Sequence, residues 1–222
     1  MKLDIIVPTF NESESIVEFL KVLKEELKGI DFRAIIIDDS ADNTCELAKK
    51  YCKNNKIKNK IIHRINEKGK GSAVNTGLKE LNAEYGVIID ADLEYHPKYI
   101  LPMIKLLNKN DLVLSTRLRR DPVYRKLLGY FFKQFVNLLF GFNFDTQSGL
   151  KVFKTKPLKN FELRSKNWVF DIELIRYFFN NKLNIGFYKI NYNTRKHGKS
   201  KIKLFTPFQM FVDIIILKLN FF

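Results

Sequence analysis

Residues 34–40 read AIIIDDS and residues 87–92 read VIIDAD. Each is a short run of branched apolar residues that ends abruptly in carboxylates. Runs of this kind, apolar without alternation, suit strands buried on both faces, as in a parallel sheet. Leu3–Val7 and Asp111–Ser115 have the same character, and a further strand is expected near Lys60–Arg64. Between these runs lie helical patterns. Ile16, Phe19, Leu20, Leu23 and Leu27 share one face, with Asn11-Glu-Ser-Glu14 reading as a capping box ahead of them. Further helices are expected near Asn43–Cys52, from Ser72 to about Leu81, and from Pro97 to about Leu107. Strands alternating with helices predict βαβ units, hence an α/β fold with a mostly parallel sheet flanked by helices.

Beyond Ser115 the rhythm changes. Val123–Phe142 reads as a long amphipathic helix, Asp145–Phe153 as a turn and strand, Phe170–Asn180 as a helix, and Gly186–Tyr192 as a strand. The tail from Phe205 reads as a helix that is apolar on most sides.

The chain has 222 residues, 45% hydrophobic and 28% charged, with 10 Gly and 6 Pro. That is globular composition and excludes a disordered or collagen-like chain. Cys45 and Cys52 lie seven apart on one expected helix, about 10 Å along its axis, too far to bridge. With three scattered His they suggest no zinc-type cluster, and reduced thiols of a cytoplasmic protein are expected. The opening MKLDIIVPTF is interrupted by Asp4 and Pro8 and does not read as a signal peptide. Val123–Phe142 and Leu204–Phe222 are both broken by charges, so neither reads as a membrane span.

The net charge of +15 is unevenly placed. Residues 1–111 carry 18 basic and 18 acidic side chains, whereas residues 112–222 carry 21 basic and 6 acidic. The basic half is also rich in Phe, which points to an anionic membrane surface or a lipid phosphate. Basic and aromatic residues together are also the composition of a nucleic-acid-binding module.

The chemistry is expected at the carboxyl ends of the strands, where open α/β sheets bind ligands. Pro8-Thr9-Phe10-Asn11-Glu12, Asp38-Asp39-Ser40 and Asp90-Ala91-Asp92 stand there. Asp90, Asp92 and Glu94 alternate along a segment that, if extended, turns all three to one side. Such an oxygen set suits Mg²⁺ or Mn²⁺, with a diphosphate completing the shell. The loop Glu67-Lys68-Gly69-Lys70-Gly71 opens a helix, a place that favours an anion.

In order along the chain, IIVPTFNE, IIIDDSADNT, EKGKGSAV, DADLEYHPK, STR, DTQSGLKVF, WVFDIEL and RKHGKSK resemble the family 2 glycosyltransferases. More narrowly they are similar to the dolichyl-phosphate mannose and dolichyl-phosphate glucose synthases. The resemblance runs from about Asp4 to about Leu204. It implies a GT-A, Rossmann-like fold with a catalytic domain over 1–204. Within it, 1–111 would hold the nucleotide sugar and metal and 112–204 the acceptor, with 205–222 an amphipathic C-terminal helix. It implies Mg²⁺ or Mn²⁺ as cofactor, a nucleotide-sugar donor and a dolichyl or other polyprenyl phosphate as acceptor. Carried over residue by residue, nucleotide contacts fall on Pro8, Phe10, Glu12, Ile37, Asp39, Lys68 and Asp90. The metal motif falls on Asp90 and Asp92, with Glu94 as a third ligand. Acceptor-phosphate contacts fall on Arg117, Arg125, Arg195, Ser200 and Lys201, and Asp92, Arg117 and Arg195 carry catalysis. Asp145, Gln147, Asp171 and Glu173 match acidic or polar positions of the acceptor half.

Two departures stand out. The usual G-S-R is Ser115-Thr116-Arg117 here. DTQSGLK and WVFDIEL look like the glucose synthases, whereas the Arg195…Gly198…Ser200-Lys201 spacing looks like the mannose synthases. The expected activity is inverting transfer of mannose or glucose from GDP-mannose or UDP-glucose to the lipid phosphate. It would take place peripherally at the cytoplasmic face of a membrane, with Val123–Phe142 and Leu204–Phe222 as interfacial helices, the alternative for both being core packing or a homo-oligomer contact. A rival within the fold transfers to a glycan hydroxyl, with Asp171 or Asp145 as general base. Nucleic acid is not expected as a partner, because such a module has no use for acidic strand ends.

Overall fold

A computed structural model describes residues 1–65, 69–117, 123–144, 146, 148–191 and 206–219, backbone only for 123–128 and 206–208. Seven strands form one sheet in the order β3-β2-β1-β4-β6-β5-β7. They are β1 (Lys2–Thr9), β2 (Asp31–Asp38), β3 (Lys58–His63), β4 (Tyr85–Ile89), β5 (Leu112–Arg117), β6 (Leu150–Lys154) and β7 (Ile185–Ile190). All pairings are parallel except those of β6, which runs against both β4 and β5. The helices are α1 (Ile16–Glu26), α2 (Thr44–Asn54), α3 (Lys70–Lys79), α4 (Ile100–Leu106), α5 (Val123–Phe140), α6 (Phe170–Asn180) and α7 (Thr206–Leu219). A 3-10 turn, Pro97–Tyr99, leads into α4. This is the α/β architecture expected from the alternating runs, and it has the GT-A-like form that the resemblance implies.

The strand residues divide between two cores by alternation. Ile5, Val7, Ile36, Val87 and Ile89 pack with Phe19, Leu20, Leu23, Ala48 and Met103 of α1, α2 and α4. Ile6, Ile88, Leu112 and Leu114 face the other way, onto Val74, Val136, Phe170, Ile175, Phe178 and Ile214 of α3, α5, α6 and α7. Burying one such side chain contributes roughly 1.5–3 kcal/mol, so the central strands can form only with both layers in place.

One local expectation is corrected. The capping box does not form: α1 starts at Ile16 with Ser15 at its N-cap. Asn11 instead turns the chain at φ 51°, and its amide oxygen accepts the Ala41 N–H (3.0 Å). The strands of the second half continue the same sheet: β5 and β7 extend it in parallel, and β6 fills the gap to β4 in the opposite sense.

Asp4, an apparent interruption in the first apolar run, has a structural cause. It is buried, yet it accepts two bonds from Arg33 (2.8 and 2.9 Å) and the backbone N–H groups of Asn82 and Ala83 (2.7 and 2.9 Å). It thereby fixes the start of β1 to β2 and to the α3–β4 connection. Asp4→Ala strands Arg33 and two amides. It is expected to cost about 3 kcal/mol in urea unfolding, whereas a loss below about 0.5 kcal/mol would contradict this role.

Candidate active site

The winding of the sheet reverses at β1. β2 and β3 lie on one side of it and β4 on the other, so a crevice opens beyond the carboxyl ends of β1 and β4. Asp39 follows β2 and Asp90 follows β4, with β1 between them. Two strand spacings, roughly 10 Å, separate them.

At the end of β2 the two aspartates have opposite roles. Asp38 is fully buried and accepts from Thr9 Oγ1 (2.7 Å) and Ser40 Oγ (2.5 Å), with His63 Nδ1 2.8 Å from its other oxygen. It ties together the ends of β1, β2 and β3. Cys45 of α2 joins Asp38 and His63 so that their ligand atoms all lie within 4.8 Å. This trio was not visible in sequence spacing, because its members come from three elements. The three partners of Asp38 account for its burial without an ion. Asp39 follows directly and is gripped by Arg64, Nε to Oδ1 and Nη2 to Oδ2, both 2.7 Å. Arg64 Nη1 also donates to Ser72 Oγ (2.8 Å) and Thr76 Oγ1 (3.2 Å) on α3. A carboxylate has about four lone-pair sites, so two remain on Asp39 for a ligand.

At the end of β4, Lys70 Nζ stands 2.7 Å from Asp90 Oδ1 and 2.8 Å from Oδ2. The ammonium also lies over the rings of Trp168 (5.5 Å) and Phe170 (5.8 Å). Burial pushes the Lys70 ammonium down, but Asp90, with Asp171 and Asp92, outweighs it and holds the group above the ordinary lysine value. Behind it, Lys151 of β6 is buried and lies 2.7 Å from Asp171 Oδ1 at the start of α6. Burial lowers the Lys151 ammonium and raises the Asp171 carboxyl, each partly offset by the other. Trp168 is half-buried beside Lys70.

The glycines of the α3 loop have a different use from the one expected. A Cβ on Gly69 would meet Lys166 O at 2.3 Å, and one on Gly71 would meet Ser165 O at 2.2 Å and Asn167 O at 2.8 Å. They admit the 165–167 backbone, from which Lys166 O accepts the Ser72 N–H (3.0 Å). Buried Glu173 holds that segment from α6 by accepting the N–H groups of Arg164 and Ser165 (2.8 and 2.7 Å). Close packing of backbone on backbone thus fixes the root of Lys70.

The extended alternation expected over 90–94 does not form. Leu93 takes φ 59°, and Asp92 Oδ1 accepts the Glu94 N–H (3.1 Å), so the chain turns sharply after Asp92. Among the described residues, Asp90, Asp92 and Glu94 do not close to the spacing of the Asp38 trio. Asp90 and Asp92 nevertheless fit a hard cation. Their donors are all oxygen, and a positive group, Lys70, already rests on Asp90. Tyr95 follows the turn, buried, with its phenol pushed well above the ordinary value by burial. The Arg117 guanidinium lies 5.5 Å from its ring centroid. Register explains the meeting: β5 Leu114 and β4 Ile88 both pair with Lys151, so Arg117, three residues on, comes level with Ala91.

The other expected contacts fall as follows. Pro8 is half-buried near the end of β1, Phe10 is exposed just after it, and Ile37 is buried in β2. Glu12 donates its N–H to Thr44 Oγ1 (2.9 Å), and its carboxylate accepts from Ser15 Oγ (2.9 Å). Lys68, Asp145, Gln147, Arg195, Ser200 and Lys201 lie outside the described residues, as does the side chain of Arg125 on α5. Sequence reading missed Arg64, Lys70 and Lys151. Arg64 had a usable signal, since it follows β3 as Asp39 follows β2.

Comparison with known proteins bears on the family and the fold. The family described as "Glycosyl transferase family 2" matches residues 4–161. A dolichol-phosphate mannosyltransferase of Pyrococcus furiosus is 35% identical over 136 residues, 58% of this chain and 38% of that protein. The chain therefore spans well under half the length of that relative. An uncharacterised protein of Methanocaldococcus jannaschii is 33% identical over 187 residues, 77% of this chain and 73% of that one. Among solved structures, glucosyl-3-phosphoglycerate synthase of Mycobacterium tuberculosis with Mn²⁺, UDP and phosphoglyceric acid has a TM-score of 0.77. The match covers 98% of this chain and 78% of that one, at 16% identity, a likeness of fold.

The packing of the α3 loop is directly testable. Gly71→Ala drives a methyl into backbone, which cannot rotate aside. A loss of about 2 kcal/mol in denaturant unfolding is expected, and a variant within about 0.5 kcal/mol of the parent would contradict the close approach.

Proposed function

The chain belongs to glycosyl transferase family 2, and on that premise we propose that it transfers a hexose, mannose or glucose, from GDP-mannose or UDP-glucose to a dolichyl or other polyprenyl phosphate with inversion. The observation that carries this reading is the position of Arg117. It stands at the end of β5, level with the Asp90–Glu94 turn and against Tyr95, so a cation for an anionic acceptor faces the acidic donor side. The similarity to a dolichol-phosphate mannosyltransferase supports the acceptor class. Structures of the same fold with Mn²⁺ or Mg²⁺ and UDP support the donor class and the cation.

The proposed roles follow from the contacts. The lone pairs that Arg64 leaves on Asp39, with exposed Phe10 close by and Pro8, Glu12 and Ile37 around the same strand ends, would receive the base and ribose. Asp90 and Asp92, with Glu94 beyond the turn, would hold Mg²⁺ or Mn²⁺, which when bound supplies Lewis-acid stabilisation of the diphosphate leaving group. Lys70 and the expected Lys68 add positive charge on the same side. Arg117 would fork onto the acceptor phosphate, aided by Arg125, Arg195, Ser200 and Lys201. A phosphate monoester has a second pKa near ~6 and is largely a dianion at pH 7. Its oxygen can therefore attack the anomeric carbon without giving up a proton, as the bond to the diphosphate oxygen breaks on the opposite face. An α-linked donor then gives a β-linked product.

Attachment to the membrane would use α5 and α7. Among the described residues no helix is long and apolar enough to cross a membrane. Yet Val212, Ile215, Ile216 and Leu219 form an exposed stripe on α7 at i, i+3, i+4 and i+7 spacing. A surface helix normally turns such a stripe inward. Here Ile214 and Leu217 already fill the inward face, and Phe211 packs edge-on against Phe132 and Phe135 of α5. Tyr130, Phe131 and Leu138 of α5 are exposed as well. An anionic lipid surface covers apolar groups and attracts nearby Lys at roughly 1 kcal/mol each, which suits this basic half and a peripheral site on the cytoplasmic face.

Two experiments test this. With a short polyprenyl phosphate, transfer from radiolabelled GDP-mannose or UDP-glucose is expected, and Asp92→Asn should lower it by about a hundredfold or more. Transfer only to free sugars or to hydroxyls of small acceptors would contradict the lipid-phosphate reading. In flotation, the protein should rise with phosphatidylserine vesicles at low salt, and Ile215→Glu with Ile216→Glu should leave it at the bottom. Dimerisation of the parent chain, with no flotation, would instead assign the stripe to a second copy.

A further inference from the structure

We propose that Lys70 is a resident counter-cation that closes Asp90 to a metal ion until a nucleoside diphosphate arrives, so that metal and nucleotide bind as one coupled event. This rests on the reading of Asp90 and Asp92 as the metal motif.

Both oxygens of Asp90 face the one ammonium, at 2.7 and 2.8 Å. A divalent cation on that carboxylate would therefore stand beside a charged lysine in a shielded site, where like charges repel strongly. The lysine is not free to retreat inward, because Lys151 already occupies Asp171. Its backbone cannot retreat either, since Gly69 and Gly71 are packed against 165–167. Only the unbranched side chain can move, across the faces of Trp168 and Phe170.

A diphosphate changes the balance. It brings negative charge enough for both cations, so the ammonium can pass to a phosphate oxygen while the metal ion takes Asp90 and Asp92. By linkage, whatever factor the nucleotide adds to metal affinity, the metal adds to nucleotide affinity. Free metal would then be held weakly, and the diphosphate would be admitted with its cation.

The test reads Mn²⁺ binding to the full chain by the loss of the free-ion EPR signal, which requires no turnover. Wild type should bind Mn²⁺ weakly. Lys70→Gln should bind Mn²⁺ alone at least about tenfold more tightly, and Lys70→Arg should resemble wild type. Lys70→Met, which keeps an apolar stem on Trp168 and Phe170, should match Lys70→Gln and serves if that variant folds poorly. Saturating UDP, with GDP in a parallel arm, should tighten Mn²⁺ binding at least about tenfold more in wild type than in Lys70→Gln. Equal or weaker Mn²⁺ binding by the two neutral variants overturns the proposal, as does equal tightening by nucleotide. Asp92→Asn in the Lys70→Gln background should remove Mn²⁺ binding. Retention there would place the ion elsewhere and overturn the metal reading itself, which separates the two failures.

Discussion

A carboxylate withdrawn from water needs hydrogen-bond donors or a positive partner, and this requirement organises the carboxyl end of the sheet. Asp38 meets it with hydroxyls and His63, Asp39 with Arg64, Asp90 with Lys70, and Asp171 with Lys151. Each partner comes from another element, so the pairs also fasten β3 to β2, α3 to β4 and β6 to α6. In the proposal above, one of those pairings, Lys70 on Asp90, would be exchanged for a contact to a diphosphate.

The same pairing accounts for the uneven charge of the chain. In the first half, cations such as Arg33, Arg64 and Lys70 are spent on carboxylates of that half. In the second half Lys151 has Asp171, but Lys156, Lys159, Lys166, Lys182 and Lys189 are exposed. The excess therefore lies on the surface of the second half. It lies in the same half as the apolar stripe of α7, which is the combination that an anionic lipid surface recognises.

The strands and helices were legible because a parallel sheet covered on both faces demands uninterrupted apolar runs, and AIII and VII supply them. Phe170–Asn180 was legible to the residue, since its apolar spacing is regular and the polar run Asn180-Asn181-Lys182 ends it. The acidic strand ends were legible for a related reason: a carboxylate that abruptly ends such a run lies at the sheet's edge. What escaped was everything made by long-range pairing. Nothing local marks Lys70 as the partner of Asp90, and Arg64 is marked as the partner of Asp39 only by its place just after β3. The glycines of the α3 loop looked like an anion cradle, whereas the backbone that presses on them lies about ninety-five residues away in the chain. The turn at Leu93 also ran against propensity, because a leucine at positive φ is disfavoured and is held here by the Asp92 bond to Glu94.

The most direct measurement is a crystal structure grown with Mn²⁺ and UDP, with the manganese located by its anomalous signal. The account predicts a single strong peak within bonding distance of Asp92, the base beside Asp39 and Arg64, and the Lys70 ammonium moved from Asp90 onto a phosphate oxygen. A manganese peak away from Asp90 and Asp92, or a nucleotide bound outside the crevice between β1 and β4, would contradict it.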